Sequence, residues 1–183
     1  MSTIARLSLE QYDEMIRCGV LDRGGQQRLE FIRGELREMT PMGPRHEDVV
    51  DRLTIWCAEN LPKERVRLRV QNSIGIPGLE SAPEPDIAWV VQGDYSQRRP
   101  SAAETLLIIE VAESSLAYDS GEKAELYATA GIADYWIANL VHRWIEVRRA
   151  PAGGRYRSLQ TFSDDEVRPL ELPHLAIRPS MLW

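Results

Sequence analysis

Leu106-Leu107-Ile108-Ile109-Glu110-Val111 constrains this chain more than any other stretch, being an apolar run broken by one carboxylate. It is far too short to cross a membrane as a helix, which takes about 20 apolar residues. Such a run fits a central strand covered on both faces, so layers must lie above and below it. Glu110 then stands where an ionised group is expensive unless something compensates it. Either it pairs with a cation at a strand end, or it belongs to a site.

The neighbouring segments supply the layers. Ser8-Leu9-Glu10-Gln11 has capping-box spacing and predicts a short helix ending near Gly19. Gly24-Gly25 marks a loop. Arg28 to Met39 reads as two strands around a tight turn at Arg33-Gly34. From Arg45 to Asn60, Val49, Val50, Leu53, Trp56 and Cys57 recur at helical steps, with His46 on the same stripe and Glu47 off it. Val66, Leu68 and Val70 alternate with polar residues as in a strand with one wet face. Asp86 to Val91 is a second strand, led by Pro83 and Pro85. Asp119-Ser120-Gly121-Glu122 offers another capping box, and Gly131 is placed to stop the helix that follows. Tyr135–Ala138 and Trp144–Val147 read as strands, with a Gly153-Gly154 turn before a weaker C-terminal region. The order is hairpin, helix, three strands, helix, two strands: a mixed sheet with flanking helices, an α/β (α+β) domain.

At 183 residues the chain fits one domain, residues 1–183, and 43% hydrophobic with 27% charged residues excludes a wholly disordered chain. The net charge of −6 argues against a broad grip on a polyanion. Arg65, Arg67, Arg69, Arg98 and Arg99 could still form a local phosphate-contacting patch. Met1 to Arg6 lacks the layout of a signal peptide, and two distant cysteines fit a reducing compartment; the expected location is the cytoplasm, off the membrane. Three scattered histidines make a structural zinc site improbable, with His142 and His174 near turns. No serine-hydrolase elbow or phosphate-cradling P-loop is present. Trp136 and Trp144 read as core.

Chemistry concentrates in Asp86, Glu110 and Lys123. Two carboxylates from neighbouring strands make a hard oxygen site for Mg²⁺ or Mn²⁺, which can polarise a phosphodiester. Asp86 after a proline also suits a plain turn. Lys123 lies where a helix dipole disfavours a cation. It pairs in solvent with Asp119 or Glu122, or it reaches the Glu110 strand end to stabilise phosphate charge. His46 is a core histidine or a cleft residue. Glu30 and Glu35 flank the hairpin, solvent-facing by default, and Gln71 ends a strand with or without a role.

Pro85-Asp86-Ile87, Glu110-Val111-Ala112-Glu113-Ser114-Ser115-Leu116-Ala117-Tyr118-Asp119, Lys123, Tyr127-Ala128 and Gly131 to Ile137 resemble the signature of the Uma-two family. Leu29 to Leu36, His46 and Gln71 are similar to its upstream pattern, and the resemblance runs from about Leu7 to Arg149. These are restriction-endonuclease-like proteins of the PD-(D/E)xK superfamily. The resemblance implies a four-stranded mixed core sheet flanked by helices, with Asp86 and Glu110 as metal ligands. Ala112 stands where a (D/E)xK site has lysine, and Lys123 on the helix is the implied replacement. Asn139, where the family often has Asp, is a departure outside the site.

The resulting expectation is a Mg²⁺-dependent (or Mn²⁺-dependent) endonuclease hydrolysing phosphodiester bonds of nucleic acid, DNA first. Its catalytic residues would be Asp86, Glu110 and Lys123, with His46, Glu35 and Gln71 as secondary candidates. A homodimer is expected by analogy. The rivals are a non-catalytic binding module that keeps the fold and a hydrolase of small phosphorylated molecules. The geometric expectations are that Asp86 and Glu110 share one ion, that His46 faces the sheet while Glu47 is more exposed, and that the Lys123 amine lies near both carboxylates.

Overall fold

A computed structural model describes residues 4–21 and 28–183; the Gly24-Gly25 loop lies outside them. The first helix, α1 (Leu9–Arg17), opens with the expected capping box, the Ser8 hydroxyl and the Gln11 amide each satisfying the other's backbone N–H. A hairpin of β1 (Leu29–Ile32) and β2 (Glu35–Glu38) follows. Its turn puts both Arg33 (φ 51°) and Gly34 (φ 81°) in the left-handed region, as a two-residue type I′ turn requires. A Cβ at Gly34 would sit 2.8 Å from the Leu7 carbonyl oxygen, so this position must be glycine.

α2 (Pro44–Asn60) begins with proline at its first position, where the missing N–H costs nothing. The main sheet has six strands in the order β3 (Val66–Val70), β4 (Ile87–Val91), β5 (Thr105–Ala112), β6 (Asp134–Asn139), β7 (Trp144–Ala152), β8 (Arg155–Phe162). Only β5 and β6 pair in parallel; the other neighbours are antiparallel. A parallel pair needs a crossover. Here it is a helical run of α3 (Leu116–Tyr118), a π-helical turn (Asp119–Lys123) and α4 (Ala124–Thr129).

Each sheet face carries one core. Val49, Val50, Leu53, Trp56 and Cys57 of α2 pack on Ile87, Trp89, Leu107, Ile109 and Val111, where Trp56 and Trp89 stack with centroids 5.7 Å apart. Ala124, Leu126, Tyr127 and Ala128 of α4 pack on the other face, against Ala88, Val90, Ile108 and Ile137. β5 is covered on both sides, as its apolar run requires.

Two expectations are corrected. Asp119 does not cap a helix: the run already starts at Leu116, and Asp119 is a buried residue inside it. The C-terminal region holds a further strand, β8, whose polar and half-exposed residues pair with β7 at the sheet edge, so the sheet has six strands where the segments read from sequence amount to five. A lone edge strand buries little and leaves little apolar signal. Trp136 is fully buried, whereas Trp144 is half-buried. Among the described residues, no helix is long and apolar enough to cross a membrane.

Candidate active site

The site forms where the end of β5 meets the start of β4. Ile87 pairs with Ile109, so one further step of the antiparallel register puts Asp86 opposite Glu110. Each carboxylate then reaches across to the other strand. Glu110 Oε2 accepts the Asp86 backbone N–H at 3.4 Å, and Asp86 Oδ2 accepts the Val111 N–H at 2.9 Å. The two acids are cross-strand neighbours at one sheet end, as the sequence reading required.

Glu110 shares its face with Ile108 and Ala112, toward the crossover run. Its Oε1 accepts from Lys123 Nζ at 3.0 Å and from the Tyr127 hydroxyl at 2.8 Å. Asp119, Lys123 and Tyr127 lie at four-residue steps. In an α-helix four residues overshoot a turn by about 40°. The wider π turn over Asp119–Lys123 absorbs that overshoot and keeps all three buried. The run then stops in a Schellman motif: Ile132 N–H bonds Tyr127 C=O, Gly131 N–H bonds Ala128 C=O, and Gly131 takes φ 83°. The last turn is thereby fixed under Glu110.

Lys123 is 4% exposed and so is Glu30, whose Oε2 lies 3.5 Å from the ammonium. The Tyr118 hydroxyl donates to Glu30 Oε1 at 2.8 Å, and the Tyr118 ring lies 5.7 Å from Lys123 Nζ. The solvated Lys123 is thus excluded; Glu122 pairs with Arg37 instead. Glu30 is not solvent-facing: alternation along β1 turns it inward with Ile32. Glu35 does not line the cleft and pairs with Arg6 and Arg37.

Asp86 is braced from two further elements. His46 Nε2 lies 3.1 Å from Asp86 Oδ2, and Gln71 Nε2 donates to Asp86 Oδ1 at 3.2 Å. His46 is half-buried while Glu47 is exposed, so the α2 phase is as read. His142 and His174 are exposed elsewhere. Asn139 is buried beyond the cleft, its Oδ1 accepting the N–H groups of Val141 and His142.

A cleft of about 170 Å³ opens onto these groups and is lined by Glu30, Glu38, Glu84, Asp86, Glu110, Glu113, Asp119, His46 and Lys123, among others. Its electrostatics are lopsided. Four buried carboxylates, Glu30, Asp86, Glu110 and Asp119, face one buried ammonium. Burial pushes Glu110 up to about 8, against the pull of Lys123, and Asp119 and Asp86 push the same way. Burial and neighbouring acids raise Asp119 too. Burial opposes the charge on Lys123, yet Glu110, Glu30 and Asp119 outweigh it and hold the amine protonated. Asp86 stays below its usual range despite burial, because His46 and the Val111 N–H stabilise its charge.

Excess buried negative charge calls for protons or a cation. Among the described residues, no three His, Cys, Asp or Glu side chains converge as a ready-made cation site. Mg²⁺ commonly rests on one or two carboxylates, completing its shell with water and substrate phosphate. Asp86 and Glu110 fit that pattern, and a buried Glu30 Oε2 lacking a hydrogen-bond donor adds to the unmet negative charge.

Sequence reading found Asp86, Glu110, Lys123, His46 and Gln71, which the structure brings together. It missed Tyr118 and Tyr127 as site residues, took Glu30 as solvent-facing by default and read Asp119 as a cap. Their one signal was membership in the motif runs, since each alone looks like an ordinary hairpin or helix residue. Tyr127→Phe should remove one donor from buried Glu110, costing about 1–3 kcal/mol. Denaturant unfolding at neutral pH checks this, and an unchanged midpoint would show that the hydroxyl is not needed there.

No curated protein sequence matches this one. Five solved chains match its fold, among them a "putative nuclease" of the domain family DUF820 from Anabaena variabilis. That structure has a TM-score of 0.74 at 13% identity, over 96% of this chain and 97% of the other. The profile of the Uma2 family, described as "Putative restriction endonuclease", matches residues 9–179, and with nearly the whole chain inside that match the protein belongs to the Uma2 family.

Proposed function

We propose that this protein is a metal-dependent nuclease that hydrolyses phosphodiester bonds of nucleic acid at the Asp86–Glu110–Lys123 cleft. One observation carries the reading: a buried lysine held on a buried strand glutamate, beside a second strand carboxylate, in a cleft with negative charge to spare. Family membership and the nuclease-like fold support the substrate class.

Asp86 and Glu110 would hold Mg²⁺ or Mn²⁺. Bound there, the ion would supply Lewis-acid polarisation of the phosphodiester and make an attacking water more acidic. The remaining work belongs to the chain. Lys123 carries three N–H donors; one is given to Glu110 at 3.0 Å, and Glu30 stands 3.5 Å away as an ion partner without a hydrogen bond. A remaining donor would meet charge developing on a phosphate oxygen. Tyr127 fixes the Glu110 carboxylate, while His46, Gln71 and the Val111 N–H fix that of Asp86. Glu30, itself held by Tyr118, keeps the lysine stem from swinging out of the cleft.

A thermal-unfolding titration with MgCl₂ and MnCl₂ tests the ion. The melting temperature should climb with concentration by mass action in the wild type and stay flat in Asp86→Asn. A flat wild-type curve for both ions would favour a non-catalytic module built on the same fold.

A further inference from the structure

The nuclease cleft is acidic, so a polyanionic substrate must be gripped elsewhere, and the edge of the sheet shows where. Arg67 and Arg69 on β3 pair with Val90 and Ala88 on β4. Directly paired residues project from the same face, so these arginines share the face of Ala88, Val90 and Glu110. They are two residues apart, and Gln71, two further on, donates to Asp86. Each step advances about 6.8 Å toward the cleft.

The guanidiniums converge on one ring. Those of Arg67, Arg69 and Arg98 lie 5.9, 6.0 and 5.1 Å from the centroid of Tyr95. Arg98 is neutralised by Glu104 and Arg99 by Asp13. Among the described residues, neither Arg67 nor Arg69 has a carboxylate partner, and Arg69 Nε is buried with no acceptor. Arg69 Nη2 and Arg99 Nε both donate to Ser73, at 3.3 and 2.8 Å, tying the cluster to the loop that leaves Gln71. A groove of about 790 Å³ opens alongside, between Tyr95, Arg69, Arg98, Arg99 and α1. Arg65, by contrast, lies apart beside Glu171 and Leu172.

We infer that Arg67 and Arg69, set on the Tyr95 loop, form a track for the sugar–phosphate backbone of a nucleic-acid strand running into the Asp86–Glu110 cleft. The ligand class rests on the nuclease reading. Unpaired guanidiniums on a rigid strand suit repeated phosphates, offering forked donors at fixed spacing without reading sequence. Burial and the crowding of Arg67 and Arg99 disfavour the charge on Arg69, a cost that a bound anion relieves.

The test is fluorescence anisotropy of a labelled DNA duplex and of its single strand, titrated with protein in EDTA at several salt concentrations. The double variant Arg67→Gln/Arg69→Gln should lose at least tenfold in affinity. Its slope of log K against log salt should be shallower by about 2, near 0.9 per lost phosphate contact. Arg67→Gln alone, at an exposed position, guards against misfolding and should shift the slope by about 1. Unchanged affinity and slope in both variants would overturn the track, as would wild-type protein that binds neither probe at low salt. Polyglutamate competing as well as unlabelled DNA would also overturn it, in favour of an acidic protein partner. Salt-dependent binding by the track without any cleavage would uphold the track and fail the nuclease reading. Cleavage with binding indifferent to the arginines would do the reverse.

Discussion

Replacing Lys123 with methionine should lower metal-dependent cleavage by an order of magnitude or more, the loss expected when one transition-state contact disappears. From sequence alone, the same substitution looks nearly neutral for folding, because methionine matches the lysine stem. The structure changes that expectation. Lys123 is buried between Glu110 and Glu30, so methionine leaves two buried carboxylates without their counter-charge. Removing one partner of a buried pair costs about 3–5 kcal/mol. Glu110, already raised to about 8, can recover part of that by taking a proton. Lys123→Met should therefore be markedly less stable than wild type at pH 7–8 and closer to it near pH 5. Paired urea melts at the two pH values check the stability, and cleavage is compared where both proteins are folded. A folded Lys123→Met protein that cleaves at the wild-type rate would remove the lysine from the mechanism.

Glu110→Gln should have the opposite effect on stability and a larger effect on activity. The sign follows from Glu110 itself, whose folded value near 8 lies above its ordinary 4.5. A carboxyl raised on folding contributes stability that is present below its unfolded value and lost as pH rises through the folded one. Metal-free wild type should thus weaken between about pH 4.5 and 8. Asp119 and His46, both also raised, add slopes of the same sign. Glutamine does not titrate, and its carbonyl can still accept from Tyr127 and Lys123. Melts of Glu110→Gln in EDTA should accordingly show a flatter pH dependence and higher stability near pH 8. Cleavage should fall by about 10²-fold or more, since the residue is proposed both to hold the ion and to anchor the lysine. Identical pH slopes in variant and wild type would mean that Glu110 is not the strained acid.

The parts legible in the sequence were those with periodic or local signals. The α2 stripe, the Arg33-Gly34 turn, the Ser8 cap and the doubly covered β5 strand all express burial or backbone geometry that short patterns encode. Glu110 was legible because a carboxylate in such a run is costly. Glu30 was not, since its burial depends on the hairpin docking over Lys123, a contact between residues 93 positions apart. Asp119 misled because a cap and a buried π-turn aspartate share one local sequence, and only the sheet behind decides between them. β8 was missed because its pairing with β7, and not apolar content, makes it a strand. Of the five arginines read as a patch, the three around Tyr95 converge through a loop contact that no spacing encodes.

The most direct measurement is cleavage itself: single- and double-stranded DNA and RNA incubated with wild type and with Asp86→Asn, in Mg²⁺, in Mn²⁺ and in EDTA. Asp86→Asn keeps the size of the side chain while removing the charge that His46, Gln71 and the Val111 N–H hold in place. The nuclease account predicts cut product from at least one substrate with wild type and metal, none in EDTA, and a loss of at least tenfold in the variant. Intact substrates throughout, or equal cutting by wild type and Asp86→Asn, would contradict it.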